Sequence, residues 1–317
     1  MTLFITEKQV AQLLTMDAAL AAVEEAERQL GLGQAQNIAR RRLRAGGTQL
    51  HLMAAALPAA GAMGYKAYTV SRQGAKFHYL LYSTETGQLQ AIIEADRLGQ
   101  MRTGAASGVA TKYMARQDAS VMGVFGAGWQ ARSQAEAIAR VRQLREVRVY
   151  SRKAEHREAF ARELSTALGL KVVPVAEPRL AVQGCQIVTT ITTSRTPVFE
   201  GAWLEPGTHI NAAGSNYLIK AEVDDETLRR CAIVVTDTLE TARLESGDLL
   251  GPLERGSIRW EQVWELGDVV AGLKPGRRSD QDITLFDSHG LALWDTAVAA
   301  AVYRRATAER VGTEVGV

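Results

Sequence analysis

Val121-Met-Gly-Val-Phe-Gly-Ala-Gly-Trp-Gln-Ala131 is the stretch that decides the fold. A mostly apolar run enters Gly126-Ala127-Gly128, and a helical pattern continues to about Arg142. The expected structure is a strand, a tight glycine turn and a helix start. Glycines let the backbone turn sharply and approach a pyrophosphate, whose charge then faces the first helix N–H groups and the helix dipole. A second strand, Val147-Arg-Val-Tyr150, follows at the distance of a βαβ unit. The pattern predicts a dinucleotide site formed by Gly126, Ala127, Gly128, Trp129 and Gln130.

Toward the C-terminus the same alternation continues. Strands are expected at 121–125, 147–150, 171–175, 186–191, 208–213, 232–236 and 283–286, mostly with helices between them. Such alternation implies a mostly parallel, doubly wound sheet. Its ligand lies beyond the carboxyl ends of the strands. The candidates are therefore residues 126–131, 151–153, 190–193, 214–216 and 288–290, with Thr190, Thr192, Ser288 and Gly290 among the coenzyme contacts. A carboxylate after the second strand would bind the ribose 2′-hydroxyl of NAD. Ser151, Arg152 and Lys153 stand there instead, and a hydroxyl with two cations suits the 2′-phosphate of NADP(H).

Toward the N-terminus the pattern is different. Thr6 and Gln9 have capping-box spacing ahead of Val10, Leu13 and Leu14, and a second helix is expected from about Asp17 to Leu30. Ile38-Ala-Arg-Arg-Arg-Leu-Arg44 is read as extended, so that Arg40, Arg42 and Arg44 share one face, solvated or gripping a carboxylate. Further strands are expected at 49–53, 64–70, 78–82 and 89–93, with a hairpin turn at Thr86-Gly87. Lys66 lies inside an apolar strand, which is costly unless the ammonium reaches water or meets an anion. His51 and His78 have no acidic or Cys partner at metal spacing and read as structural. Leu98-Gly-Gln-Met-Arg-Thr-Gly-Ala-Ala-Ser107 leads into a helix of small residues. Arg102 and Thr103, read as its start, would together offer a cation and free N–H groups to an anion.

Composition bounds the possibilities. At 317 residues the chain suits two domains, and 46% hydrophobic with 23% charged residues is ordinary for a globular protein. A formal net charge of +2 gives no argument for nucleic acid or an anionic membrane as partner. Cys185 and Cys231 lie far apart in or beside apolar runs and read as buried thiols, with neither disulfide nor metal spacing. The first residues lack a signal-peptide pattern and no apolar run is long enough to span a bilayer, so a cytoplasmic protein is expected. The last residues, 307–317, lose periodicity and are expected to fray.

Several separate motifs then agree. Ala39-Arg40 ahead of Leu52-Met53, Lys66 in its strand, Arg102-Thr-Gly-Ala105, Gly126-Ala-Gly-Trp-Gln130, Leu204-Glu-Pro-Gly-Thr-His209, Asn211-Ala-Ala-Gly-Ser215 and Phe286-Asp-Ser-His-Gly290 resemble the ornithine cyclodeaminase/μ-crystallin family along nearly the whole chain. The resemblance implies an α+β substrate and dimerisation domain, 1–118 plus 291–317, with a Rossmann-type α/β domain, 119–290, inserted into it. It implies a homodimer, and that Arg40, Lys66 and Arg102 hold the α-carboxylate of an amino or imino acid, with Arg42 as the other candidate in the arginine row.

One position departs from the family. Cyclodeaminases, as the resemblance has it, carry a catalytic aspartate where this chain has Asn216. A carboxylate can accept the proton of a substrate ammonium; an amide only hydrogen-bonds. The reading that follows is an NAD(P)H-dependent reductase of a small imino acid, or an amino-acid dehydrogenase in the aminating direction. Lys66 and Asn216 would be its catalytic residues, and Arg102 and Thr103 would also meet the coenzyme. The alternatives are a cyclodeaminase-type lyase using NAD catalytically, and an NADPH-dependent small-molecule binding protein. Arg72, Arg195 and His289 are open candidates for a second substrate carboxylate. No metal site is expected.

Overall fold

β1 (Thr2–Ile5) passes into α1 (Glu7–Leu13) at Thr6, where Gln9 Oε1 accepts hydrogen bonds from both the N–H and the hydroxyl of Thr6. α2 (Met16–Gly31) starts at Thr15, whose hydroxyl accepts from Ala18 N–H, and buries Met16, Ala19, Leu20, Val23 and Ala26. An antiparallel meander follows: β2 (Gln36–Ala45), β3 (Thr48–Leu57), β4 (Ala62–Ser71), β5 (Gly74–Ser83) and β6 (Leu89–Glu94). The β5–β6 turn uses Gly87 at φ +70°. The computed structural model describes residues 2–316 of the chain.

α3 (Asp96–Met114) corrects one expectation. The sequence predicts Arg102 and Thr103 at a helix start, but this helix begins at Asp96. Its first N–H groups, those of Asp96 and Arg97, donate to the Glu7 carboxylate at 2.5 and 3.0 Å. Arg102 and Thr103 therefore lie in the helix interior, where backbone N–H groups are spent on the preceding turn. They offer no free N–H groups to an anion.

The chain divides into two units: Met1–Arg102 with Leu291–Val317, and Thr103–Gly290. The boundary at 118/119 implied by the resemblance falls after α3, whereas the two units divide inside it. From Thr103 onward α3 belongs with the second unit: Arg142 Nη2 donates to the carbonyls of Thr111, Lys112 and Ala115, and Asn211 Nδ2 donates to Thr111 Oγ1.

The second unit is the doubly wound sheet. Its strands are β7 (Val121–Phe125), β8 (Glu146–Tyr150), β9 (Lys171–Val175), β10 (Ile187–Thr190), β11 (His209–Ala212), β12 (Ile233–Thr236), β13 (Val263–Glu265) and β14 (Thr284–Asp287). They run parallel in the order β13-β12-β14-β11-β10-β7-β8-β9. α4 (Trp129–Val141) and α5 (Ala154–Leu168) connect the first three strands. Shorter helices, α6 (Asp225–Arg230), α7 (Leu239–Glu245), α8 (Gly247–Glu254) and α9 (Leu266–Val270), serve the other half. β7 is buried on both faces: Met122 and Val124 pack with Ala131, Ile138 and Phe160, while Val121 and Phe125 pack with Phe199, Ile210 and Leu285. Burial on both sides is why these strands read as apolar runs rather than alternating ones.

The chain ends complete the first unit. α10 (Ala292–Glu309) is buried along most of its length, and β15 (Thr313–Val315) pairs antiparallel with β1. The sheet order is β15-β1-β6-β5-β4-β3-β2. Residues expected to fray are thus ordered by the open edge of β1, whose backbone groups take a partner strand; Val317 lies outside the described residues. Among the described residues both cysteines are free, with Cys185 buried and Cys231 only half-buried, less than its apolar setting implies. No described helix is long and apolar enough to cross a membrane.

Candidate active site

In the first unit the sheet register does the placing. Met53 pairs with Lys66, Lys66 with Tyr79, and Tyr79 with Ile93, so these side chains form one row across four strands. Paired residues share a face, and this face is the one covered by α10. Arg40 joins the row through a bulge. The β2–β3 register shifts between Ile38 and Arg41, and the sequence neighbours Ala39 and Arg40 are both buried. Simple alternation would have turned one of them out. Arg40 Nε then lies 3.2 Å from Met53 Sδ. Arg42 is half-buried beside His51 in the next row, while Arg41 and Arg44 are exposed. His51 stacks on Tyr68 at 4.2 Å between ring centres.

Asp295 of α10 is set against this row. Its oxygens accept from Lys66 Nζ at 3.0 and 2.9 Å, and Arg102 Nε donates to Oδ1 at 3.1 Å. All three are buried: Lys66 is 2% exposed, Arg102 7% and Asp295 0%. Lys66 is far from any sheet edge, which removes the reading that its ammonium reaches water. Arg102 also lies over the Trp294 ring at 5.6 Å, and its Nη1 is buried with no hydrogen-bond partner among the described residues. Burial, then the adjacent Arg102, bring the Lys66 ammonium down to about 7 against the opposing pull of Asp295. Two buried cations thus share one carboxylate, with a donor left over. Such a cluster suits an anion that brings its own negative charge.

In the second unit the glycine turn fits a dinucleotide. Gly126 has φ +112°, and a Cβ there would lie 2.5 Å from the Ile191 carbonyl. Gly128, the N-cap of α4, has open space around its Cα and no side chain with which to cap the helix. Ala127 and Gln130 are half-buried, Trp129 is exposed, and Gln130 Oε1 has no hydrogen-bond partner among the described residues. Gly104 of α3 lets that helix touch α4, since a Cβ would come within 2.3 Å of the Ser133 carbonyl. Ser151, Arg152 and Lys153 lie between β8 and α5, with both cations exposed and no carboxylate among them.

The turns after β10 and β11 are held by Glu222. Its Oε2 accepts from Thr190 Oγ1 and Gly214 N–H, and its Oε1 from the hydroxyl and N–H of Thr192. The Thr190 and Thr192 hydroxyls are therefore engaged inside the protein. Asn216 is half-buried in the turn after β11. Ser288 N–H donates to the Ala212 carbonyl, and Gly290, at φ +89°, donates its N–H to Asp237 Oδ2. Of the three candidates for a second carboxylate, Arg72 and Arg195 are exposed, and His289 is buried against Asp287.

The structure brings Lys66 and Arg102 together in the first unit, with Arg40 in the Lys66 row. It lines up Gly126, Ala127, Gly128, Trp129 and Gln130 at one turn of the second. Sequence reasoning missed Asp295 and Glu222. A lone carboxylate in the otherwise apolar run from Leu291 to Val302 was the available signal for Asp295. Among the described residues no group of His, Cys, Asp or Glu could hold a metal ion.

The sequence model of the ornithine cyclodeaminase/mu-crystallin family matches residues 1–310. The structure of Thermococcus litoralis Δ(1)-pyrroline-2-carboxylate reductase, in complex with NADH and L-proline, superposes with a TM-score of 0.94 at 34% identity, covering 99% of this chain and 100% of its own. An archaeal alanine dehydrogenase dimer with bound NAD gives 0.93 at 37% identity, covering 99% of each chain. The iminosuccinate reductase of Paracoccus denitrificans, in complex with NAD+, gives 0.94 at 30% identity, covering 100% of this chain and 99% of its own.

Proposed function

The chain belongs to the ornithine cyclodeaminase/mu-crystallin family, and we propose that it works as an NAD(P)H-dependent reductase of small imino acids. The observation that carries this reading is the buried pairing of Lys66 and Arg102 with a single carboxylate, Asp295, which leaves Arg102 Nη1 without an acceptor. A substrate α-carboxylate supplies that acceptor, held by Arg102, Lys66 and Arg40. The three relatives named above share the matching chemistry in their names: a carboxylate beside a C–N or C=N bond.

The nicotinamide, when bound, supplies the hydride. Gly126, Ala127, Gly128, Trp129 and Gln130 would hold its dinucleotide, and the 288–290 turn and residues 190–192 shape the neighbouring strand ends. Asn216 hydrogen-bonds the imine nitrogen. After reduction at Cα the nitrogen would hold the electron pair of the former C=N bond and would need a proton. Lys66, brought down to about 7, is the donor. A ketimine that arrives protonated needs no base, so an amide at 216 suffices. Cyclodeamination would need a carboxylate there, and this disfavours the lyase reading.

The same proposal includes NADPH over NADH, because the turn after β8 presents Ser151, Arg152 and Lys153 and no carboxylate. It also includes a homodimer. The sheet face opposite α10 carries Ile38, Ala54, Met63 and Tyr65 on adjoining strands, with Ile38 and Met63 exposed. An apolar sheet face of this kind is what a second copy would cover.

The test is loss of nicotinamide absorbance with purified protein, comparing NADPH and NADH. The substrates are a five-membered cyclic ketimine, a six-membered one, and pyruvate or glyoxylate with ammonia or methylamine. Oxidation with one of these is expected. No oxidation with any of them, together with ammonia release from ornithine and NAD, overturns the reductase reading in favour of the lyase.

A further inference from the structure

Behind the turn that carries Asn216 lies a group of buried carboxylates that the reaction above does not use. Asp237, Asp248 and Asp287 are each at most 1% exposed, at or near the carboxyl ends of β12 and β14 and in α8. Asp237 Oδ2 accepts the N–H groups of His289 and Gly290, both at 2.6 Å. Asp248 Oδ1 accepts the N–H groups of Glu222 and Val223. Asp287 Oδ2 accepts from Ser246 Oγ at 2.7 Å.

His289 stands among them. Its Nε2 stands 3.0 Å from Asp287 Oδ2, at ion-pair distance but off the line of a hydrogen bond, and its Nδ1 lies 3.2 Å from the Ser215 carbonyl oxygen. Both ring nitrogens thus face oxygens that can only accept. A neutral imidazole has one N–H and one lone pair, so it would either lose its donor to the Ser215 carbonyl or set an uncharged nitrogen 3.0 Å from the Asp287 carboxylate. The doubly protonated ring meets both, with a donor at Nδ1 for the carbonyl and a positive charge beside the carboxylate.

We infer that His289 is a positioning residue held as an imidazolium: tied to Asp287 on one side, it clamps the Ser215 carbonyl on the other and so fixes the turn that presents Asn216. The groups facing the ring support its charge. Burial alone would lower its proton affinity, but Asp287 and then Asp237 outweigh burial and bring it up to about 9. Asp248, next to Asp287, is pushed up by burial and by that neighbouring charge, so it holds a proton of its own more readily than an ordinary carboxyl. Deprotonation of the ring removes one of its two links and frees the Ser215–Asn216 turn.

The structural half of this inference stands without the reductase reading; its kinetic half rests on it. The experiment follows ring nitrogens of 15N-histidine-labelled protein and the Asn216 amide nitrogen by NMR from about pH 6 to pH 10. One of the five histidines is expected to show two protonated ring nitrogens at about pH 8 and to vanish in His289→Gln. The Asn216 amide, one bond from the Ser215 carbonyl, is expected to titrate with it. A neutral ring at pH 8, or an Asn216 amide that ignores the ring, overturns the inference. If His289→Gln does not fold, the wild-type titration decides alone, because absence of any imidazolium at pH 8 is enough to overturn it. In turnover, kcat should fall about 10- to 100-fold in His289→Ala, less in His289→Gln, which keeps one donor. KM for the imine should stay within about threefold, and the alkaline limb near pH 9 should be lost in both. Unchanged kcat and pH profile in both variants would also overturn it. A protein that reduces no imine tried, yet shows the coupled titration, refutes the functional reading and leaves the clamp standing.

Discussion

Lys66 Nζ lies 2.9 and 3.0 Å from the two oxygens of Asp295, a residue 229 positions further along the chain. Each partner needs the other, since an unpaired buried charge is far more costly than a paired one. Asp295→Asn strips the counter-charge from both Lys66 and Arg102. It should lower unfolding free energy by about 3–5 kcal/mol. Lys66→Met leaves Asp295 with Arg102 and should cost less stability while lowering kcat/KM at least about 100-fold. Urea unfolding and steady-state rates on both variants check this. A Lys66→Met protein as unstable as Asp295→Asn, or as active as wild type, contradicts the assignment.

The lowered proton affinity of Lys66 has a definite sign in stability. The unfolded lysine keeps its proton up to about its usual 10.5, whereas the folded one releases it near 7. Between these values the unfolded state binds more protons, so this group's contribution to stability rises with pH, by up to ~1.4 kcal/mol per pH unit. It is fully present above the unfolded value and lost as pH falls through 7. Subtracting the Lys66→Met curve from wild type isolates the effect from His289, which titrates with the opposite sign. A difference curve that is flat from pH 7 to 10 would refute the shifted lysine.

Gly126 tests the dinucleotide turn. At φ +112° with Ile191 O in the way, an alanine is strained in both backbone and space. Gly126→Ala should cost ~1–3 kcal/mol and raise the coenzyme Kd at least about tenfold, read by nicotinamide fluorescence. Coenzyme binding at wild-type strength would move the pyrophosphate elsewhere.

How much of this could be read from sequence depends on the range of the contacts involved. The strand, glycine turn and helix around Gly126 are local, and every later strand of that sheet except the three-residue β13 shows in the apolar pattern. Lys66 was visible as an oddity because an ammonium in an apolar strand needs a reason. Its partner Asp295 was not, because one acid in an apolar helix carries no sign of what it meets. The bulge that buries Arg40 beside Ala39 breaks the very alternation used to read the strand. The true start of α3 was hidden because its cap, Glu7, comes from the first helix. β15 is ordered only by pairing with β1, at the other end of the chain.

Arg152 tests the proposed preference for NADPH. Exposed at the turn after β8 with Lys153, it should account for much of any preference for the 2′-phosphate. Arg152→Ala should cut the NADPH-over-NADH ratio of kcat/KM at least about tenfold, about 1.4 kcal/mol, with the NADH rate little changed. A ratio unaffected by the change places the 2′-phosphate on other groups, or removes it from the reaction.

The split encoding of the first unit has a consequence for biosynthesis. Its first 102 residues leave the ribosome before the second unit and cannot be finished until α10 and β15 are made. During that interval Lys66 and Arg102 have no Asp295, and β1 has no outer neighbour. The second unit is contiguous in sequence and can mature first. A message truncated after codon 290 would therefore yield a sound coenzyme-binding half attached to a sheet with unmatched charge and an uncovered face, the kind of product that chaperones and proteases clear.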